Sequence, residues 1–94
     1  MPLTLRWDMP NVYDMNTAQA TREGIAAEVR AQMGRKRVTA RALAKSIGIS
    51  DGALSERLNG ARPFNTDQLA RIAEALDMDL LALFVAAESN DHAA

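Results

Sequence analysis

Residues 39–60 read Thr39-Ala-Arg-Ala-Leu-Ala-Lys-Ser-Ile-Gly-Ile-Ser-Asp-Gly-Ala-Leu-Ser-Glu-Arg-Leu-Asn-Gly60. Thr39 is a good N-cap residue, because its hydroxyl can accept from a free amide of the first turn. Leu43, Ala44 and Ile47 then fall on one face of a helix running to about Ile47. Gly48 suits the left-handed position that ends such a helix, where a side chain is disfavoured. Ile49 is an apolar turn residue, and Ser50 can cap a second helix. That helix carries Ala53, Leu54 and Leu58 inward and runs to about Asn59, with Gly60 ending it as Gly48 ends the first. The stretch therefore encodes two short helices joined by a tight turn at Gly48-Ile49-Ser50. Ala44 is small where the two must approach closely. Asp51, Gly52, Ser55, Glu56 and Asn59 are left on the outer face of the second helix.

The flanks supply the rest of a core. Upstream, Ile25, Val29 and Met33 recur every four residues with Ala26 beside them, which is one apolar helix face. Thr21 is a candidate N-cap for this helix, with Glu23 near its positive end. Gly34 marks its expected end, followed by a basic connector, Arg35-Lys36-Arg37. Downstream, Arg62 precedes Pro63 and is pushed out of the helical region. Phe64 stands just before a cap, Asn65 and Gln68 have capping-box spacing, and Leu69, Ile72, Ala73 and Leu76 form a fourth apolar face. Asp77-Met78 reads as a turn. Asp79 can cap a fifth helix bearing Leu80, Leu83 and Phe84.

Residues 21–87 thus form the expected domain, between an arm or disordered leader over 1–20 and a polar tail over 88–94. Pro2, Pro10, Asn11 and Asn16 interrupt periodicity in the leader, Thr4, Leu5 and Trp7 suit a short extended stretch, and Met15 is a second candidate start. No strand of convincing alternation is present. The fold class expected is all-α.

From about Ile25 to Phe84 the chain resembles the phage-repressor and Cro-like helix-turn-helix family, also called lambda-repressor-like or Xre. The matching residues are Leu43-Ala44, Gly48-Ile49-Ser50, Leu54-Ser55, Leu58-Asn59-Gly60, Arg62-Pro63 and Leu69-Ala70-Arg71-Ile72-Ala73-Glu74-Ala75-Leu76. The resemblance implies a compact five-helix domain with an irregular N-terminal leader, often dimeric on a two-fold operator, whose second short helix is the recognition helix. The chain departs from the family pattern at Ala40, where glutamine is common, at Glu56, where a basic residue is common, and at Asp77, where glycine is common.

A helix of this width fits the major groove of B-form DNA. Asp51, Gly52, Ser55 and Glu56 are the expected base-facing residues; the competing reading is a solvated helix surface. Two carboxylates there repel phosphate, yet a carboxylate also accepts from cytosine N4. Arg41, Asn59 and Arg62 flank the recognition helix and are expected on phosphates. Thr39 and Ser50 serve as caps, and the amides they leave at the helix N-termini also suit phosphates. Arg35, Lys36 and Arg37 read as a solvated connector.

Charge is segregated along the chain. Residues 22–62 hold nine basic against four acidic side chains, a net +5, whereas residues 63–94 hold one against six, a net −5, within an overall −1. Such asymmetry suits a basic face for a polyanion. Leu81, Phe84 and Val85 exceed what a core needs and form a candidate dimer interface.

With no cysteine and a single histidine, His92 in the polar tail, neither a disulfide framework nor a metal site is expected. Ser46, Ser50, Ser55 and Ser89 have only His92 as a base, so no enzyme and no cofactor are expected. No run reaches membrane length and no secretory pattern opens the chain, so a cytoplasmic protein is expected. The functional expectation is a DNA-binding transcriptional regulator, foremost a repressor that occludes a promoter as a homodimer on double-stranded DNA. Two alternatives stand beside it. One is an antitoxin-like protein that also binds a toxin through the N-terminal arm or C-terminal helix. The other is a protein-interaction module on the same fold, which Asp51 and Glu56 motivate.

Overall fold

A computed structural model describes the backbone of residues 2–93 and the side chains of residues 18–88. All five elements are helices: α1 (Pro2–Lys36), α2 (Ala40–Ile47), α3 (Asp51–Leu58), α4 (Thr66–Ala75) and α5 (Leu80–Ala93). Their existence and order agree with the all-α, five-helix expectation.

The apolar faces read from the sequence converge on one core. Val29 and Met33 of α1, Leu43, Ala44 and Ile47 of α2, Leu54 and Leu58 of α3, Leu69, Ile72 and Leu76 around α4, and Leu83 of α5 are buried together. Ile25, Val38, Ile49, Phe64, Met78 and Leu80 pack half-buried around them. Burying a large aliphatic side chain contributes about 1.5–3 kcal/mol, so this cluster is the main source of stability. α5 lies along α1, α2 packs on α3 and α4, and α1 also meets α3.

Each short helix starts where its cap chemistry says. The Thr39 hydroxyl accepts from the Ala42 amide at 3.1 Å and the Ser50 hydroxyl from the Ala53 amide at 3.1 Å. Asn65 and Gln68 form a reciprocal capping box, with Gln68 N–H donating to Asn65 Oδ1 at 2.7 Å and Asn65 N–H donating to Gln68 Oε1 at 3.0 Å.

Helix ends share one device. After α1, α2, α3 and α4 a residue takes positive φ: Arg37 at 56°, Gly48 at 78°, Gly60 at 81° and Asp77 at 53°. The next amide then reaches back to the last turn. Val38 donates to the Met33 carbonyl, Ile49 to Ala44, Ala61 to Glu56 and Met78 to Ala73, at 2.8–3.0 Å. These are the six-to-one bonds of Schellman motifs, which satisfy carbonyls the helix leaves free.

Three sequence expectations are corrected. Thr21 is not an N-cap, because Ala18, Gln19 and Ala20, counted with the irregular leader, already lie within α1; alanine and glutamine are strong helix formers. Gly34 does not end α1, which continues to Lys36 while Arg37 takes the left-handed position. Val38 explains the choice: placing the turn at Arg37 puts Val38 against the core. Phe84, counted with Leu80 and Leu83 on the inward face of α5, is 40 % exposed; Leu83 and Ala87 are the buried pair on that helix. Trp7 and His92 lie outside the described side chains.

Candidate nucleic-acid interface

α2 and α3 are eight-residue helices separated by Gly48-Ile49-Ser50. Leu54 and Leu58 fix α3 inward, and the remaining geometry follows from helical spacing. Asp51, Gly52, Ser55, Glu56 and Asn59 are all exposed, on the side of α3 away from the core. All four expected base-facing residues are therefore on one continuous polar surface.

The expected phosphate residues border that surface in different ways. Thr39 and Ser50 are exposed and already serve as caps. Asn59 is the C-cap of α3 and is exposed. Arg41 is exposed on the first turn of α2. Arg62 comes back onto α3, where its Nε lies 3.6 Å from Glu56 Oε1.

The carboxylates on this surface have intramolecular accounts. Asp51 is in the first turn of α3, where a negative charge offsets the positive end of the helix. Glu56 faces the Arg62 guanidinium. Neither carboxylate needs an outside cation to explain it.

Many of the basic side chains, four of them from residues 22–62 together with Arg71, are used inside the fold. Arg30 Nη1 donates to the Leu58 carbonyl at the end of α3. Lys36 Nζ donates to the Leu76 carbonyl, and to Asp77 O at 3.2 Å, at the end of α4. Arg71 Nη1 donates to Ile47 O at 3.4 Å at the end of α2. Arg57 donates to its own helix at Ala53 O, 2.8 Å away. Arg35 faces Glu28, a 5 % exposed carboxylate that also accepts from Gln32 at 2.8 Å. Cations at helix C-termini also favour the helix dipole.

Two of the three residues read as a solvated connector are thus structural. Lys36 closes α4 and Arg35 holds Glu28. Among the described residues, Arg37, Arg41 and Lys45 are exposed and enter no ion pair. Lys45 was not singled out from the sequence. The signal was available, since Lys45 lies one turn after Arg41 and shares its face.

Among the described residues no three His, Cys, Asp or Glu side chains gather as a metal site, and no helix is long and apolar enough to cross a membrane.

Comparison with known proteins gives a concordant result. The family model described as helix-turn-helix domain matches residues 25–83, the segment that holds the core, both short helices and the basic residues that tie them. Two solved structures of the clp gene regulator ClgR from Corynebacterium glutamicum are similar to the chain. One is 29 % identical with a TM-score of 0.74, covering 77 % of each chain. The other is 30 % identical with a TM-score of 0.69, covering 73 % of this chain and 90 % of that one. No curated protein sequence matches.

Proposed function

Because the chain belongs to the helix-turn-helix domain family, we propose that it is a sequence-specific DNA-binding transcriptional regulator, acting as a repressor that occludes a promoter. α3 enters the major groove. Asp51, Gly52, Ser55 and Glu56 meet base edges, while Thr39, Arg41, Ser50, Asn59 and Arg62 meet the flanking phosphates. The observation that carries this reading is the outer face of α3: polar, exposed and continuous, on a helix clamped at both ends. Ser50 caps its start and Arg30 its last carbonyl. A rigid element presenting short polar side chains is what direct readout requires. The similarity to ClgR, described as a gene regulator, supports the same reading.

The active form is a homodimer. One eight-residue helix touches only a few base pairs, and two such helices related by a two-fold axis double the site. Leu81 is 67 % exposed and Phe84 40 % exposed on α5, with Val85 beside them. This apolar strip lies on the helix at the end of the domain and supplies a self-complementary contact.

The test is selection of the purified chain on random duplexes. The expected result is enrichment of a pseudo-palindrome with half-sites about one helical turn apart. Recovery of unenriched sequence after repeated rounds contradicts the proposal.

A further inference from the structure

Glu56 is one of two carboxylates on the α3 surface, both poorly suited to a groove lined with phosphates, and Arg62 lies against it. The chain turns back at Gly60, whose φ of 81° lets the Ala61 amide donate to the Glu56 carbonyl at 3.0 Å. Arg62 follows at once, in the bend that leads to Pro63, where the helical region is disfavoured. The guanidinium Nε then lies 3.6 Å from Glu56 Oε1. Both side chains are more than half exposed, and an ion pair in water contributes almost nothing to folding. Stability therefore does not explain the arrangement.

Chemistry explains it better. A carboxylate only accepts hydrogen bonds. In the major groove, cytosine presents its N4 amino donor, whereas adenine sets an N7 acceptor beside its N6 donor and guanine presents two acceptors. An acceptor-only side chain is matched to cytosine. With Arg62 on Oε1, the other oxygen, Oε2, is left to meet the base, and the guanidinium offsets the repulsion between Glu56 and the phosphates.

We propose that Glu56 reads the N4 amino group of one cytosine in the major groove, and that Arg62 is the positioning residue that aims and neutralises it. The proposal rests on the DNA-binding reading above. It assigns Arg62 a role in base preference that a phosphate contact alone does not have.

The test is a double-mutant cycle on the duplex recovered by selection, with each base pair of the half-site replaced in turn. The wild-type chain is expected to prefer cytosine at one position by about tenfold. Glu56→Ala removes that preference, and Glu56→Gln transfers it to adenine, which glutamine matches with its donor and acceptor. Arg62→Ala also removes the preference, although Glu56 is still present, and the double variant loses no more than either single one. Thermal melts of all variants coincide with the wild type, so misfolding does not enter. The proposal is overturned if Arg62→Ala lowers affinity by one constant factor on every duplex and in both Glu56 backgrounds, the signature of a phosphate contact. It is equally overturned if Glu56→Ala leaves every base preference intact. A wild-type chain that selects no sequence overturns the DNA-binding reading first, and this proposal with it.

Discussion

The Arg30 guanidinium of α1 donates to the backbone carbonyl of Leu58, the last residue of α3. The two residues are far apart in sequence, and their bond ties the end of α3 to α1, the longest helix of the fold. Arg71 on Ile47 and Lys36 on Leu76 repeat the arrangement at α2 and α4. Three short helices are thus each closed by a cation from another helix. Isolated helices of eight to ten residues are unstable in water, so this tertiary closure is part of what makes them persist.

Replacing Arg30 by Met keeps most of the aliphatic stem and deletes the donor. A hydrogen bond from a charged group contributes about 1.5–3 kcal/mol when well buried. Arg30 is partly exposed, so the expected loss is nearer about 1 kcal/mol, a fall in Tm of about 4–8 °C for a domain of this size. Amide exchange at the C-terminal turn of α3 should accelerate more than exchange in α5. An unchanged Tm with unchanged exchange in α3 would show that the bond does not hold the helix.

Gly52 and Gly34 are a matched pair. Both lie inside helices, and at both an added Cβ meets nothing within 4 Å. Alanine is favoured over glycine in a helix by about 1 kcal/mol, so each Gly→Ala substitution should raise Tm. Only Gly52 lies on the surface assigned to DNA. Gly52→Ala should therefore weaken binding to the selected duplex while Gly34→Ala leaves it unaltered, as read by fluorescence anisotropy. Equal affinities for the two variants would remove Gly52 from the contact surface.

The four positive-φ helix ends predict opposite signs for opposite substitutions. Arg37→Gly relieves a left-handed conformation that costs a side chain about 1 kcal/mol and should stabilise the chain by about that amount. Asp77→Gly should gain less, because aspartate tolerates this region better. Gly60→Ala should destabilise by about 1–2 kcal/mol, since φ is 81° and the new Cβ would lie 3.3 Å from Glu23 Cγ. Urea denaturation at constant m-value measures all three.

In the proposed homodimer, Leu81→Glu should separate the subunits without unfolding them, because Leu81 is outside the core. Sedimentation should show a monomer. Affinity for a full two-half-site duplex should fall steeply, and affinity for a single half-site should stay as it was. A variant that sediments like the wild type would place the subunit contact elsewhere or nowhere.

The parts of this fold that depend on local chemistry were legible in the sequence. Thr39, Ser50 and the Asn65–Gln68 box act within three residues, and Gly48 and Gly60 mark turns that side chains resist. The exposure of Asp51, Gly52, Ser55 and Glu56 on the outer face of α3 followed from spacing against Leu54 and Leu58. Helix ends set by tertiary packing were not legible. Arg37 accepts a strained backbone because Val38 gains a place against the core, and no local signal favours it over Gly34. The destinations of Arg30, Lys36 and Arg71 were hidden for the same reason, since each reaches a carbonyl at least 24 positions away. As a result, a segment that reads as a basic surface holds fewer free cations than its composition suggests, and Arg41, Lys45 and Arg37 carry more of the remaining charge.

The most direct measurement is fluorescence anisotropy of the purified wild-type chain with its own upstream DNA, with the duplex recovered by selection and with a scrambled duplex, each across a series of salt concentrations. The account predicts binding of the selected duplex about 10³-fold or more tighter than the scrambled one. It also predicts that log Kd rises linearly with log salt, with a slope set by the few phosphates contacted. Preference for the upstream DNA as well would identify the chain as a regulator of its own gene. Equal binding to selected and scrambled duplexes, or none to either at low salt, would contradict sequence-specific DNA recognition by α3.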